Sequence, residues 1–336
     1  MNRLPASIFN DVIGPVMRGP SSSHVAGAAR IGSLVRQSLK GRVKEVEVEF
    51  DVNGSLAESY HGHGSDIGFA SGILGMDLTD PSVPRACKIA EERGIDIRYA
   101  VLDYGAVHPG NYRITAQAPD GIRMRWEAIS VGGGMVKMEK FNGFEVSICG
   151  DFYELLITVD SDGVSLEDVL ERIKEAIPRH EDVAVCERSP RALVNMKRSA
   201  DTEEGTLQAL RRIPNVLNVV SLTPILPTRS SADCRVPFVT AEQALAWMAG
   251  NGRLELWELA ALYEASRGKT DKEDVLQKMS RLVDIMRKSI RDGLAGTEYS
   301  DRILGPQAYK IDEGIRSNRL IPGDILNRVI KYITRS

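Results

Sequence analysis

The sequence predicts an α+β protein in three successive parts, and three observations carry the prediction. Residues 43–50 alternate valine and phenylalanine with lysine and glutamate between two runs of small residues at helical spacing, as a strand with one buried face does. Residues 153–222 read as strand, helix, two strands, helix and strand, the split βαβ cycle of a ferredoxin-like unit. The last hundred residues are charged and carry apolar side chains at helical spacing. The parts are 1–149, an α/β unit; 150–226, the ferredoxin-like unit; and 227–336, a linker and helices.

In the first part, residues 26–39 predict a helix that stops at Gly41. The strand at 43–50 runs into Asp51-Val-Asn-Gly-Ser-Leu-Ala, and His61-Gly-His-Gly-Ser-Asp opens a second small-residue helix that reaches Gly75. Further strands are expected at 96–102, 112–118 and 122–129, with a glycine triplet, Gly132 to Gly134, near the end of the unit. In the second part, strands at 153–159, 181–187, 192–197 and 216–222 alternate with a helix capped by Ser165 and another at 202–212. Pro224, Pro227 and Pro237 mark the linker. Beyond it Thr270-Asp-Lys-Glu reads as a capping box, and Val275, Met279, Leu282, Met286 and Ile290 line one face of a helix ending at Gly293. A shorter helix is expected from Asp324, with Ile325, Val329 and Ile333 inward.

Composition narrows the function. Forty-three basic and 46 acidic residues give a net charge of −3 with no basic block, which argues against a nucleic-acid partner. No stretch approaches the roughly 18 apolar residues of a membrane span, and the N-terminus lacks a signal-peptide core, so a cytoplasmic protein is expected. Cys87, Cys149, Cys186 and Cys234 are dispersed without a C-x-x-C pair and read as structural thiols; no metal site is expected from this chain alone.

The chemistry concentrates at residues 18–32, Arg-Gly-Pro-Ser-Ser-Ser-His-Val-Ala-Gly-Ala-Ala-Arg-Ile-Gly. A helix start leaves backbone N–H groups unpaired at the positive end of the dipole. Set beside the hydroxyls of Ser21, Ser22 and Ser23 and the imidazole of His24, it forms a receptor for a carboxylate or phosphate. Ser at such a start is also an ordinary N-cap. Gly54-Ser55 can bring a further hydroxyl to the same anion. Four of the five histidines, His24, His61, His63 and His108, lie in the first 108 residues beside glycine, serine or proline. The His61-Gly-His63 pair has only Asp66 nearby and no third soft ligand, so it does not read as a metal site.

These motifs, in order, resemble the β chain (or β domain) of iron–sulfur-dependent L-serine dehydratases. Ser21-Ser-Ser-His24 is similar to that family's opening signature, and Gly54-Ser-Leu-Ala to its Gly-Ser-Leu-Ala element. His63-Gly-Ser-Asp66 matches the end of Gly-x-Gly-His-Gly-Thr-Asp, with His61 a departure. His108-Pro-Gly-Asn111 resembles the His-Pro-Asn loop with a shifted asparagine, and Ser130-Val-Gly-Gly-Gly134 the Ser-Ile-Gly-Gly-Gly element. Ala28 stands where the family usually has proline. The ferredoxin-like part resembles an ACT domain, with Ser161-Asp-Gly-Val in place of its usual ligand loop. The segment from Leu254 resembles the start of the family's α chain.

The resemblance implies a lyase that removes water from serine, giving pyruvate and ammonia. It makes His108 and His63 the catalytic candidates. Ser21, Ser22, Ser23, His24, Gly54, Ser55, Asp66, Asn111, Gly132 and Gly133 become substrate-binding candidates. A [4Fe–4S] cluster, acting as a Lewis acid on the leaving hydroxyl, is expected on an α-type partner chain and not on this one. A homo- or hetero-oligomer follows. The rival reading is a non-catalytic binding module, since the first part also resembles the allosteric substrate-binding domain of some 3-phosphoglycerate dehydrogenases.

Overall fold

The computed structural model describes residues 4–14, 16–17, 19–252, 254–296, 305–317 and 319. The chain divides into two compact units, residues 1–252 with 266–269, and residues 253–265 with 270–336. The expected α+β class holds: two sheets and flanking helices build the molecule.

The first sheet has six strands: β1 (Glu45–Asp51), β2 (Asp96–Leu102), β3 (Asn111–Gln117), β4 (Arg123–Gly132), β5 (Met135–Phe141) and β6 (Phe144–Ile148). Their order is β2-β1-β3-β4-β5-β6, with β1 and β2 parallel and the other pairs antiparallel. The alternation in β1 does what the period predicts, burying Val46, Val48 and Phe50 while the glutamates face outward. Helices α1 (Ser22–Ser38), α2 (Ser65–Leu74) and α3 (Ala86–Glu92) complete this part.

Glycine sets how closely α1 and α2 approach. A Cβ on Gly68 would lie 2.2 Å from Val25 O, one on Gly72 2.1 Å from Ala29 O, and one on Gly32 2.4 Å from Phe69 O. Only hydrogen at these three positions lets the two backbones touch, and the touch brings the start of α1 against the turn that opens α2.

Strands β5 and β6 were not expected. The glycine triplet, read as the end of a unit, is the β4–β5 turn, with Gly132, Gly133 and Gly134 all at positive φ. Asn142 (φ 49°) and Gly143 (φ 86°) then make a tight turn into β6.

The second sheet holds β7 (Tyr153–Asp160), β8 (Asp182–Arg188), β9 (Arg191–Arg198) and β10 (Val216–Leu222) in the antiparallel order β10-β7-β9-β8. Helices α4 (Leu166–Ala176) and α5 (Glu204–Arg211) connect them, so the β-α-β-β-α-β order read from the sequence is present. Leu155, Ile157, Val159, Val194, Met196 and Val219 pack against α4 and α5. The opposite face, with Leu156, Leu193, Val220 and Leu222, joins the core of the first sheet and α1. Burial on both faces is why Leu155-Leu-Ile reads as a continuous apolar run.

Four more helices follow: α6 (Ala241–Asn251), α7 (Leu256–Gly268), α8 (Lys272–Ala295) and α9 (Ala308–Arg316). Two expected boundaries of α8 are corrected. Its N-cap is Asp271, whose carboxylate accepts from Asp274 N at 2.8 Å, because a carboxylate one residue nearer competes better than the Thr270 hydroxyl. Gly293 lies inside the helix, and the stop comes at Gly296, which takes the left-handed conformation that ends helices. Helix α5 begins at Glu204 and not at Thr202. The helix expected from Asp324 falls outside the described residues, as does Arg18.

Candidate active site

One segment of the first sheet's unit meets the start of α1, and another is tied to that segment. Ser21 caps the helix with extended backbone, but its hydroxyl is not spent on the helix. Ser21 Oγ lies 2.7 Å from His24 Nδ1, and Ser21 N donates to His63 O at 3.3 Å. The first i→i−4 bond of α1 is Val25 N to Ser21 O, so the N–H groups of Ser22, Ser23 and His24 precede the helical ladder. Ser22 is exposed; Ser23 and His24 are half-buried. The arrangement presents backbone donors, hydroxyls and the positive end of a helix dipole at one accessible place.

The second segment is the turn between β1 and α2. Its His63 ring stacks on His24 with centroids 4.0 Å apart. His63 Nε2 lies 2.9 Å from Ser59 Oγ and Nδ1 lies 3.3 Å from Ser65 Oγ, while Ser59 Oγ donates to Ser55 O at 2.5 Å. Burial, reinforced by the neighbouring His24, holds the His63 imidazole down to about 4, against the weaker opposing pull of Asp66. His63 is therefore a neutral, fully hydrogen-bonded ring near neutral pH. Asp66 is buried at the first turn of α2 and pairs with His61.

The third segment is the loop before β3, which carries His108. Ser55 N and Oγ both donate to Pro109 O, at 2.9 and 3.1 Å, tying this loop to the β1–α2 turn. Gly54 is required there: a Cβ would lie 2.9 Å from Pro109 O and 3.0 Å from both Asp51 O and Asn111 Nδ2. His108 is half-buried, and its Nδ1 accepts from Gly110 N at 3.0 Å.

Asn111, expected to bind substrate, is spent on the loop. Its Nδ2 donates to His108 O at 2.7 Å, and its Oδ1 accepts from Asp51 N at 3.2 Å and from the Tyr104 hydroxyl. Asp51 was not among the candidates, yet its buried carboxylate accepts from Asn53 N, Tyr104 N and Ala106 N at 2.9, 3.1 and 3.0 Å. A carboxylate at the end of a strand, two residues before Asn-Gly, was the available signal; Asn53 is local, but Tyr104 and Ala106 lie more than fifty residues away.

Gly132 and Gly133 sit at the β4–β5 turn with open space where a Cβ would be. Their neighbour Gly134 touches α1: a Cβ would come within 3.2 Å of the Ala26 side chain, and Gly134 O accepts from Arg30 Nη1 at 2.6 Å. Burial lowers the Arg30 guanidinium to about 10. The turn is thus held beside the first turns of α1. Ser21, His24, Ser55 and His63 are joined by direct bonds, stacking or Ser59. His108 is joined through Pro109, while Asp66 pairs with the exposed His61 of the same turn.

All of these residues lie in the stretch that matches known proteins. A family model described as serine dehydratase beta chain matches residues 9–141. A probable L-serine dehydratase beta chain from Bacillus subtilis (strain 168) is 37% identical over 219 residues, covering 64% of this chain and 97% of its own. The L-serine dehydratase beta chain of Peptoniphilus asaccharolyticus is 31% identical over 148 residues, 44% of this chain and 66% of that one. An L-serine dehydratase of Helicobacter pylori (strain J99 / ATCC 700824) is 28% identical over 239 residues, and this chain spans about half of it, 51%. By the near-complete coverage of the Bacillus protein and the match over the site itself, this chain belongs to the serine dehydratase beta chain family.

Proposed function

We propose that this chain is the β-type subunit of an L-serine dehydratase, a lyase that eliminates water from a small hydroxy-amino acid together with an α-type partner. The supporting observation is that the β1–α2 turn carries both contacts: His63 stacks on His24 at the α1 start, and Ser55 holds the His108 loop through Pro109. In this reading the substrate carboxylate sits on the N–H groups and hydroxyls of Ser21 to Ser23. His63 orients the turn beside it, and His108 exchanges a proton from a loop held by Asp51 and Asn111.

The donor set of this chain does not fit a [4Fe–4S] cluster. Among the described residues no group of three His, Cys, Asp or Glu is placed to hold a metal ion. Cys87 lies on α3 and Cys186 on β8, Cys149 follows β6, and Cys234 Sγ is engaged by Arg267 O at 3.2 Å. Burial pushes the Cys87 thiol up to about 12, away from the thiolate a cluster needs. We assign the cluster to the partner chain. We assign the ferredoxin-like, ACT-like unit a spacing or dimerising role, since both faces of its sheet are already covered. A cytoplasmic location belongs to the same reading; no helix of the described residues is long and apolar enough to cross a membrane.

Three measurements test this. Co-expressed with a cluster-bearing α-type chain, the protein should turn serine into pyruvate and ammonia, and alone it should not. His108→Ala should leave folding and assembly intact and lower turnover by about 10²–10⁴-fold. Calorimetry should show that Ser22→Ala with Ser23→Ala weakens binding of serine. Turnover by this chain alone, or full activity of His108→Ala in the complex, would overturn the reading.

A further inference from the structure

Strand β2 ends the first sheet, and among the described residues no strand pairs with its far side. Asp96 N donates to Lys44 O at 2.9 Å and Val52 N to Leu102 O at 3.0 Å, so the even-numbered residues of β2 turn their backbone groups to β1. Ile97, Tyr99 and Val101 hold theirs towards the open edge. The strand reads Asp-Ile-Arg-Tyr-Ala-Val-Leu and pairs with β1 in unbroken register, without the proline or bulge that would turn another strand away.

Two charges of opposite sign guard this edge. Ile97 and Tyr99 pack against the core, so alternation puts Asp96 and Arg98 together on the outer face. There they pair at 2.8 Å and remain 53% and 65% exposed. On the core side the sheet ends in an open groove of about 740 Å³. Lys88 and Glu91 of α3 line it together with Ile95, Ile97 and Tyr99, which are only half-buried.

We propose that β2 pairs with β2 of a second copy, antiparallel about a two-fold axis at Ile97, and so joins two six-stranded sheets into one. Charge selects both the occupant and the register. The antiparallel complement of an acid-x-base segment is another acid-x-base segment, and β2 itself is one. With the axis at Ile97, Asp96 faces Arg98 of the second copy and the reverse, at the closely spaced positions of the ladder that carry no hydrogen bonds. An axis at Asp96 or Arg98 would oppose like charges, and one at Tyr99 would set Asp96 against Leu102. On the groove side Ile97 then meets its own copy and Tyr99 meets Ile95, which covers the half-buried apolar edge. Such an interface is isologous and closes at two subunits. It is independent of the dehydratase reading.

Light scattering and sedimentation of the full chain alone should give twice the 36.9 kDa of one copy. Ile97→Pro removes an N–H that faces the open edge and no bond to β1, so the circular dichroism should hold while the mass falls to one copy. Arg98→Asp sets an aspartate against Asp96 of the second copy on both sides of the axis. It should raise the dimer dissociation constant at least about tenfold. Adding Asp96→Arg makes the facing charges opposite again and should restore the dimer. Should Ile97→Pro unfold the chain, the two exposed charges still decide the matter. A monomeric wild type, or a dimer untouched by both Ile97→Pro and Arg98→Asp, overturns the inference. A charge-swapped double variant that dimerises no better than Arg98→Asp overturns it too. If Ile97→Pro leaves the dimer intact and abolishes assembly with the α-type chain, the edge belongs to that chain and the inference fails.

Discussion

The imidazoles of His24 and His63 stack with their centroids 4.0 Å apart and their planes 16° from parallel. One ring begins α1 and the other precedes α2, so their contact reports whether the two helices are docked. Two imidazolium ions at this distance would repel in a half-buried place, and burial already disfavours the charged form of His63.

The folded-state value of about 4 for His63 lies below the ordinary 6.5. Between these values the unfolded chain binds more protons, so the stability this neutral ring contributes is present above about 6.5 and lost as pH falls through about 4. Urea unfolding of the wild type and His63→Gln across this range should give a difference that shrinks toward acid pH. A difference that grows as the pH falls would show that His63 is charged in the folded protein.

The α1–α2 contact predicts an asymmetry among glycines. Gly72→Ala puts a methyl 2.1 Å from Ala29 O, backbone that cannot swing aside. It should destabilise the protein by at least about 1–3 kcal/mol, the usual range for overpacking. Gly205 lies in α5, and a methyl there would meet nothing within 4 Å, so Gly205→Ala should stabilise by about 0.5–1 kcal/mol. Denaturant midpoints at equal m-values check both.

Asp51 is 1% exposed and holds the backbone of the loop that carries His108. Hydrogen bonds to a charged group contribute about 1.5–3 kcal/mol each, and an amide has one acceptor where the carboxylate has two. In Asp51→Asn the Tyr104 and Ala106 amides should exchange with deuterium at least about tenfold faster, as loss of about 1.4 kcal/mol of local protection requires. Amides of β9 should keep their wild-type rates. Unchanged exchange at Tyr104 would mean the loop is held by Asn111 alone.

Local chemistry was legible in the chain, and long-range pairing was not. The Val46, Val48, Phe50 alternation named its strand and its buried face, because the period alone fixes both. Asn142-Gly143 offered an equally local signal for the β5–β6 hairpin, but the glycine triplet before it masked the continuation. Ser21, His24 and His63 stood out as candidates from their motifs, and the structure brings the three together. Their union depends on Gly32, Gly68 and Gly72, which look like ordinary small helix residues until the two backbones are placed against each other. Asn111 was legible as a conspicuous residue but not in its use, since its partners Asp51 and Tyr104 belong to other segments.

Glu154 on β7 carries a further pH dependence, of opposite sign to that of His63. It is 1% exposed, its Oε2 accepts from Asn195 Nδ2 at 2.8 Å, and its Oε1 lies 3.5 Å from Lys197 Nζ without a hydrogen bond among the described residues. Burial pushes the carboxyl up to about 7 from the ordinary 4.5, and Lys197 and Asn195 only partly offset it. The folded protein then binds more protons than the unfolded chain between these values. Its stabilising contribution is complete below about 4.5 and lost as pH rises through about 7. Glu154→Gln keeps an acceptor for Asn195 and removes the charge, while Lys197 retains Ser147 O at 2.7 Å and the Phe152 ring beneath it. The stability of the wild type relative to Glu154→Gln should therefore fall on going from acid to mildly alkaline pH, read as a difference in thermal midpoint. A relative stability that rises with pH would show that the Lys197 pairing, and not burial, governs this carboxylate.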